Sequence, residues 1–256
     1  MNDTIRHLEE LSLNAWPALE TEFFDGWVLR FSAGYTRRAN SVNPLYPSVL
    51  APAGKLRDCQ RLYRERGLPV VFKMTPAAGD LDAVLGEHGY QRAGTTSVQL
   101  LDLDSMPKPE PGDVELLEKP NEAWVAAFCA LNPGLRRHFL TMSQMLERIA
   151  PAACFLSLRH EGQTAGLGMA VSERGYVGIF DLVTRQTLRN KGIGRQVVQH
   201  LLDWGRRQGA EQAYLQVMLE NAPALHLFEC IGFREAYQYW YRVRDPHPAL
   251  SQRERV

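Results

Sequence analysis

The chain has 256 residues, 45% of them hydrophobic, which is enough to bury two modest cores and too long for one ordinary small domain. Lys+Arg and Asp+Glu balance at 29 each, so no global field draws the chain to nucleic acid or to an anionic membrane surface. Cys59, Cys129, Cys154 and Cys230 lie far apart with no Cys-x-x-Cys, which disfavours a disulfide frame or a zinc site and predicts buried, reduced thiols. No apolar run approaches the roughly 20 residues of a membrane helix, and the first residues have no signal-peptide layout. A cytoplasmic protein is expected.

In chain order, residues 4–13 place Ile5, Leu8, Leu11 and Leu13 at near-helical spacing, with Thr4 as N-cap. Residues 26–33 alternate as a half-buried strand does, with Trp27, Leu29 and Phe31 on one face. A polar run over 34–41 follows. Leu56, Cys59, Leu62 and Tyr63 predict a helix over 55–66, stopped by Gly67 and Pro69. A buried strand over 70–74, a short helix over 80–88 and a strand over 91–103 complete the first half. Pro107, Pro109 and Pro111 mark 106–112 as an extended linker.

The second half reads as a strand over 113–117, helices over 121–131 and 141–149, then strands over 153–159, 164–171 and 176–184. A helix over 192–208 carries Ile193, Val197, Val198, Leu201 and Leu202 on one side and stops at Gly209. A strand over 212–218 and a helix over 222–231 come next. Residues 233–244 read as an aromatic strand pair or one bent strand, and 245–256 as a loose polar tail.

The halves echo each other. Each ends in helix, Gly, strand, short helix, Gly-aromatic and strand; Gly67 and Gly89 are 22 residues apart, Gly209 and Gly232 are 23 apart. Two related folds in tandem are expected, over 1–105 and 113–245, with 246–256 as tail.

Chemistry concentrates in the second copy. Arg189-Asn190-Lys191-Gly192-Ile193-Gly194-Arg195 lies between a β-rich run and a helix. Glycines allow tight turning and close ligand approach. The first N–H groups of a helix are unpaired and sit at the positive end of its dipole, a ready site for phosphate. The P-loop pattern fails, because Lys191 precedes Gly192 and no hydroxyl residue follows the pair. The dinucleotide pattern fails at Val197, and no acidic residue stands on the strand over 212–218.

The Arg-x-x-Gly-x-Gly of 189–194, with the distant run Asn221-Ala-Pro-Ala-Leu-His-Leu-Phe-Glu-Cys-Ile-Gly-Phe233, resembles the GNAT superfamily of acetyl-CoA-dependent N-acetyltransferases. The arrangement as a whole resembles tandem GNAT proteins whose N-terminal copy is degenerate. The resemblance implies an α+β fold with a mixed sheet, splayed beside an acetyl-CoA loop in the second copy. It implies that main-chain N–H groups from Asn190 to Arg195, through Gly192, Ile193 and Gly194, hold the pyrophosphate, with Arg189, Lys191 and Arg195 adding charge. Leu182 and Val183 correspond to the positions that pair with the pantetheine arm, where a main-chain N–H would also stabilise the oxyanion.

The amine must attack uncharged, so a general base is useful. Asp181, an acid in an apolar strand, is the first candidate; Glu173, in an exposed-looking turn, is the second. Asn221 reads as a helix N-cap that also borders the acetyl region. Where the family pattern often has a tyrosine that returns a proton to the leaving thiolate, this chain has Phe228. Water, or one of Tyr237, Tyr239 and Tyr241, would then take that role, or the thiolate leaves unprotonated, or activity is lost; Phe228 is expected to pack on the pantetheine.

Arg136, Arg137 and His138 are candidates for an acceptor groove, with Tyr239, and Arg37, Arg38 and Asn40 for its second wall. The function implied is acetyl transfer to a primary amine of a small molecule or peptide by direct attack in a ternary complex, without metal, in a monomer or homodimer. The alternatives are a non-catalytic CoA-binding sensor or assembly module, and a nucleotide-dependent enzyme using the same anion loop.

Overall fold

The computed structural model describes residues 2–104 and 106–244; the tail expected over 245–256 lies outside them. The first half folds as α1 (Asn2–Ala15), β1 (Glu20–Phe24), β2 (Trp27–Phe31), β3 (Val42–Pro44), α2 (Pro52–Glu65), β4 (Val71–Met74), α3 (Leu81–Glu87) and β5 (Gln91–Asp102). The second half gives β6 (Asp113–Leu117), α4 (Glu122–Leu131), α5 (Phe139–Leu146), β7 (Ala152–His160), β8 (Gln163–Glu173) and β9 (Tyr176–Thr184). It ends with α6 (Ile193–Arg207), β10 (Gln212–Met218), α7 (Ala222–Ile231) and β11 (Arg234–Val243).

Four local expectations are corrected. Helix α1 begins at Asn2, so Thr4 lies inside its first turn and does not cap it. Helix α2 begins at Pro52, because proline at the first helical position has its φ pre-set and needs no donor. Strand β2 is buried at all five residues. Arg30 accounts for its polar member: the guanidinium turns inward and donates to the carbonyls of Trp16 and Arg38. Cys230 is exposed, while Cys59, Cys129 and Cys154 are buried and all four are free thiols. The run over 233–244 is one strand with two register shifts, between Glu235 and Tyr237 and between Tyr239 and Tyr241.

All eleven described strands join one mixed sheet, in the order β1-β2-β3-β4-β11-β5-β10-β9-β8-β7-β6. The order shows an exchange. Strand β5 pairs antiparallel with β10, from Thr96 opposite Met218 to Asp102 opposite Gln212. Strand β11 pairs antiparallel with β4, from Trp240 opposite Met74 to Val243 opposite Val71. Each half therefore lends its last strand to the other, and β5 and β11 pair along the seam.

The core follows the same exchange. Ile5, Leu8 and Leu11 of α1 share one buried cluster with Trp124 and Phe128 of α4 and with Tyr237, Tyr239 and Tyr241 of β11. The apolar stripe of α6 buries against β8 and β9 as its spacing predicts. A Cβ on Gly205 would stand 2.6 Å from Val177, so the helix lies too close to β9 there for any larger residue. Within the seam, Lys73 of β4 pairs with Glu9 of α1 at 2.5 Å, both nearly fully buried, and the Tyr237 hydroxyl donates to the other Glu9 oxygen at 2.8 Å.

Candidate active site

Strands β9 and β10 start as a parallel pair and then part. Their register runs from Tyr176 opposite Gln212 to Ile179 opposite Leu215 and stops. Beyond it β10 follows β5 and β9 follows β8. The cause is local. Phe180 faces Met169 and Val183 faces Leu167, so Asp181 and Leu182 together oppose Gly168. That extra residue is a β-bulge, which bends and twists its strand. Asp181 takes the left-handed conformation, φ 50°, which Asp tolerates better than most residues. Gly168 suits the crowding, since a Cβ there would stand 2.9 Å from Val197.

The gap between the strands holds a small cavity of about 80 Å³, lined among others by Asp181, Phe180, Gln216, Phe228, Tyr239 and, from the first half, Arg38. It adjoins a cleft of about 750 Å³ bounded by Leu182 to Thr184, Arg189, Asn190, Gly192 to Gly194 and the start of α7. Leu182 and Asn221 line both.

The cleft ends on the loop expected to bind an anion. Asn190 and Gly192 have φ 60° and 79°, so the chain makes two left-handed turns before α6 begins. No side chain caps that helix, and a Cβ on Gly192 would meet nothing within 4 Å. The first amides of α6 are therefore bare of side-chain partners at an open surface, which is the geometry an oxyanion needs. Gly194 has a different reason: a Cβ there would come within 3.3 Å of Leu227. Arg189 lines the cleft; Lys191 and Arg195 are exposed beside it.

Asp181 is buried, 8% exposed, and its Oδ2 has no hydrogen-bond partner among the described residues. Burial pushes its carboxyl up to about 6, against a smaller opposing pull from Arg38. A carboxylate in that state can take a proton near neutral pH. Glu173 is elsewhere: it accepts from the Asn14 amide at 3.0 Å and pairs with Arg174 at 3.4 Å. Asn221 is the N-cap of α7, its Oδ1 accepting from the Ala224 N–H at 3.3 Å. Phe228 is buried edge-on against Phe233, with ring centroids 5.9 Å apart.

The three tyrosines of β11 separate clearly. Tyr239 lines the cavity, and its hydroxyl donates to Gln216 Oε1 at 3.1 Å; Tyr237 is committed to Glu9. The Lys73 ammonium lies 4.0 Å from the centre of the Tyr239 ring. Arg136 and Arg137 are exposed on a 3-10 turn, whereas His138 is buried against Tyr35 with ring centroids 5.3 Å apart. Arg38 stands on another 3-10 turn, Arg37–Ala39, capped by Thr36, with Asn40 Oδ1 accepting from the amides of Ser32 at 2.7 Å and Gly34 at 3.0 Å. Gln216, Thr96, Glu9 and Lys73 are the functional-site neighbours that sequence reasoning missed. Lys73 and Glu9 are the two with a visible signal, being charged residues at positions whose spacing predicts a core.

Residues 3–242 match the family model described as "Probable histone acetyltransferase Rv0428c C-terminal". An uncharacterised N-acetyltransferase of Bacillus subtilis, YobR, is 29% identical over 249 residues, 94% of this chain and 99% of that protein. A GCN5-related N-acetyltransferase from Kribbella flavida has the same fold, with a TM-score of 0.72 at 13% identity over 94% of this chain and 95% of that one. A tandem GNAT protein from the clavulanic acid biosynthesis pathway aligns with a TM-score of 0.63 at 13% identity, over 92% and 86% of the two chains. The chain belongs to the Rv0428c C-terminal family, and it is an N-acetyltransferase with the GNAT fold.

Proposed function

We propose that this family member transfers acetyl from acetyl-CoA to a primary amine by direct attack in a ternary complex. The observation that carries the reading is the parting of β9 from β10 beside an uncapped helix start, with one cleft joining the two. Acetyl-CoA supplies an activated acyl group as a thioester. The residues present fit it: the bare amides at Gly192 to Gly194, aided by Arg189, suit a pyrophosphate. The β10-facing edge of Leu182 and Val183, which β10 has left, suits an extended amide-bearing arm laid down like an added strand.

At the cavity, Asp181, its carboxyl raised to about 6, takes a proton from the acceptor ammonium, directly or through water, and so frees the amine to attack. Tyr239 lines the same cavity as Phe228, which has no hydroxyl to offer, and its phenol, turned from Gln216, is the proton donor for the departing sulfur. Phe180 and Phe228 give the cavity apolar walls beside its polar lining of Arg38, Thr96, Gln216 and Asn221. The two halves act as GNAT-like units over 1–105 and 113–245, the anion loop being kept only in the second.

Calorimetric titration with CoA, and thiol release from acetyl-CoA across an amine panel, test the reading. Wild type should bind CoA. Gly192→Val with Gly194→Val should weaken binding about tenfold or more, because left-handed backbone at 192 disfavours a β-branched residue and a side chain at 194 presses on Leu227. Unchanged affinity in a folded double variant would overturn it.

A further inference from the structure

We propose that Gln216 is a positioning residue for Tyr239, its carboxamide held in one orientation by Ser12, so that helix α1 of the first half fixes the proton donor of the second. This deepens the acetyl-transfer reading and rests on it.

The side chains meet across the seam of the sheet. Gln216 of β10 stands opposite Val98 of β5, and Tyr239 of β11 stands opposite Thr96 on the other side of that strand. Thr96 and Val98 are two residues apart, so all four share one face, the face that α1 covers. Two strand spacings, about 9.5 Å, separate β10 from β11 there. The two long side chains close that gap, the Tyr239 hydroxyl donating to Gln216 Oε1 at 3.1 Å. Both line the cavity.

The far end of the amide is set by the helix. Gln216 Nε2 donates to Ser12 Oγ at 2.8 Å, and the buried Ser12 hydroxyl donates to the Leu8 carbonyl at 2.8 Å. A hydroxyl has one proton, and a carbonyl oxygen only accepts. Ser12 gives its proton to Leu8 and so receives the Gln216 N–H. Reversing the amide would set two oxygens face to face or cost Ser12 its bond to Leu8. Oε1 therefore faces the phenol, and Tyr239 is the donor in that bond. The ring is held from the same helix face, on which Glu9 lies three residues before Ser12. Glu9 pairs with Lys73 at 2.5 Å, and the Lys73 ammonium lies 4.0 Å from the centre of the Tyr239 ring. Gripped by ring and hydroxyl, the phenol oxygen keeps one place at the cavity, and its proton reaches the departing sulfur by rotation about the C–O bond. Without Gln216 the oxygen spreads over several positions, and the loss falls on the chemical step, not on cofactor binding.

A double-mutant cycle tests this by thiol release, using the amine of the panel that wild type turns over fastest. Gln216→Met, close in shape but without the carbonyl, should lower kcat about tenfold. The KM for acetyl-CoA, and CoA affinity by calorimetry, should stay at the wild-type values. In a Tyr239→Phe background the same substitution should change kcat by less than about twofold, since no phenol is left to hold. Ser12→Ala, which takes no side chain from the cavity, should act in the same direction by about threefold and lose its effect in that background likewise. Urea unfolding confirms that each variant is compared as a folded protein.

A Gln216→Met loss that persists undiminished beside Tyr239→Phe, a loss carried by KM or CoA affinity, or no loss in either single variant would overturn the inference with acetyl transfer intact. So would a Tyr239→Phe variant as fast as wild type. A wild type that binds no CoA, or binds it and turns over no amine, would overturn the reading beneath and this inference with it.

Discussion

Replacing Asp181 with asparagine keeps shape and backbone and removes only the titration, since asparagine also tolerates φ 50°. Burial raises the carboxyl from 3.8 to about 6. The folded protein then holds this proton more tightly than the unfolded chain, so the group's contribution to stability is full below about pH 4 and is lost as pH rises through about 6. At 1.36 kcal/mol per pH unit, the ionised carboxylate disfavours folding by about 3 kcal/mol at pH 8. Urea unfolding should therefore show D181N gaining about 2 kcal/mol over wild type at pH 8, relative to their difference at pH 4.5, where about 1 kcal/mol is already lost. Thiol release should fall about 100-fold or more in D181N, the loss expected for a general base. The limb of the wild-type rate profile near pH 6 should vanish with it. A stability difference that does not change between the two pH values, or a limb that survives the substitution, would show that Asp181 is neither desolvated nor the base.

Tyr239→Phe should lower kcat about tenfold or more with little change in CoA affinity, and Phe228→Tyr in that background should restore part of the rate, measured by thiol release. Lys73→Met takes the ion-pair partner from the buried Glu9, so it should destabilise by about 3–5 kcal/mol in urea unfolding. Adding Glu9→Gln should recover most of that loss, because the double variant has no uncompensated charge.

The helices and central strands were legible because their side chains repeat at helical or strand spacing, as α6 does at Ile193, Val197, Val198, Leu201 and Leu202. The anion loop was legible because glycine at 192 and 194 is a local property of the chain. Strands β1 and β3 were not, being five and three residues long with exposed or polar members. Nor was strand exchange. The pattern of β11 shows that it is a strand; which strand it meets depends on β4 and β5, far earlier in the chain, with Arg234 opposite Leu100 and Val243 opposite Val71. The bulge at Asp181 was hidden for a similar reason, since a register shift is a relation between two strands. An acid inside an apolar run marked the position, and the partner strand decided its geometry.

The exchange explains how a half without the anion loop still shapes the site. Strand β5 supplies the edge that holds β10 once β9 has turned away, and Thr96 of β5 lines the cavity. Strand β11, carrying Tyr239, is fixed on its outer side by β4. Arg38 arrives from the turn held in place by Trp16, which follows α1, and by Arg30 of β2. Without residues 2–104, β10 would have an unpaired edge and β11 would have neither neighbour, leaving rows of open N–H and C=O groups. The gap between β9 and β10 would then close or aggregate. The cavity that brings Asp181, Arg38 and Tyr239 together is thus a property of both halves.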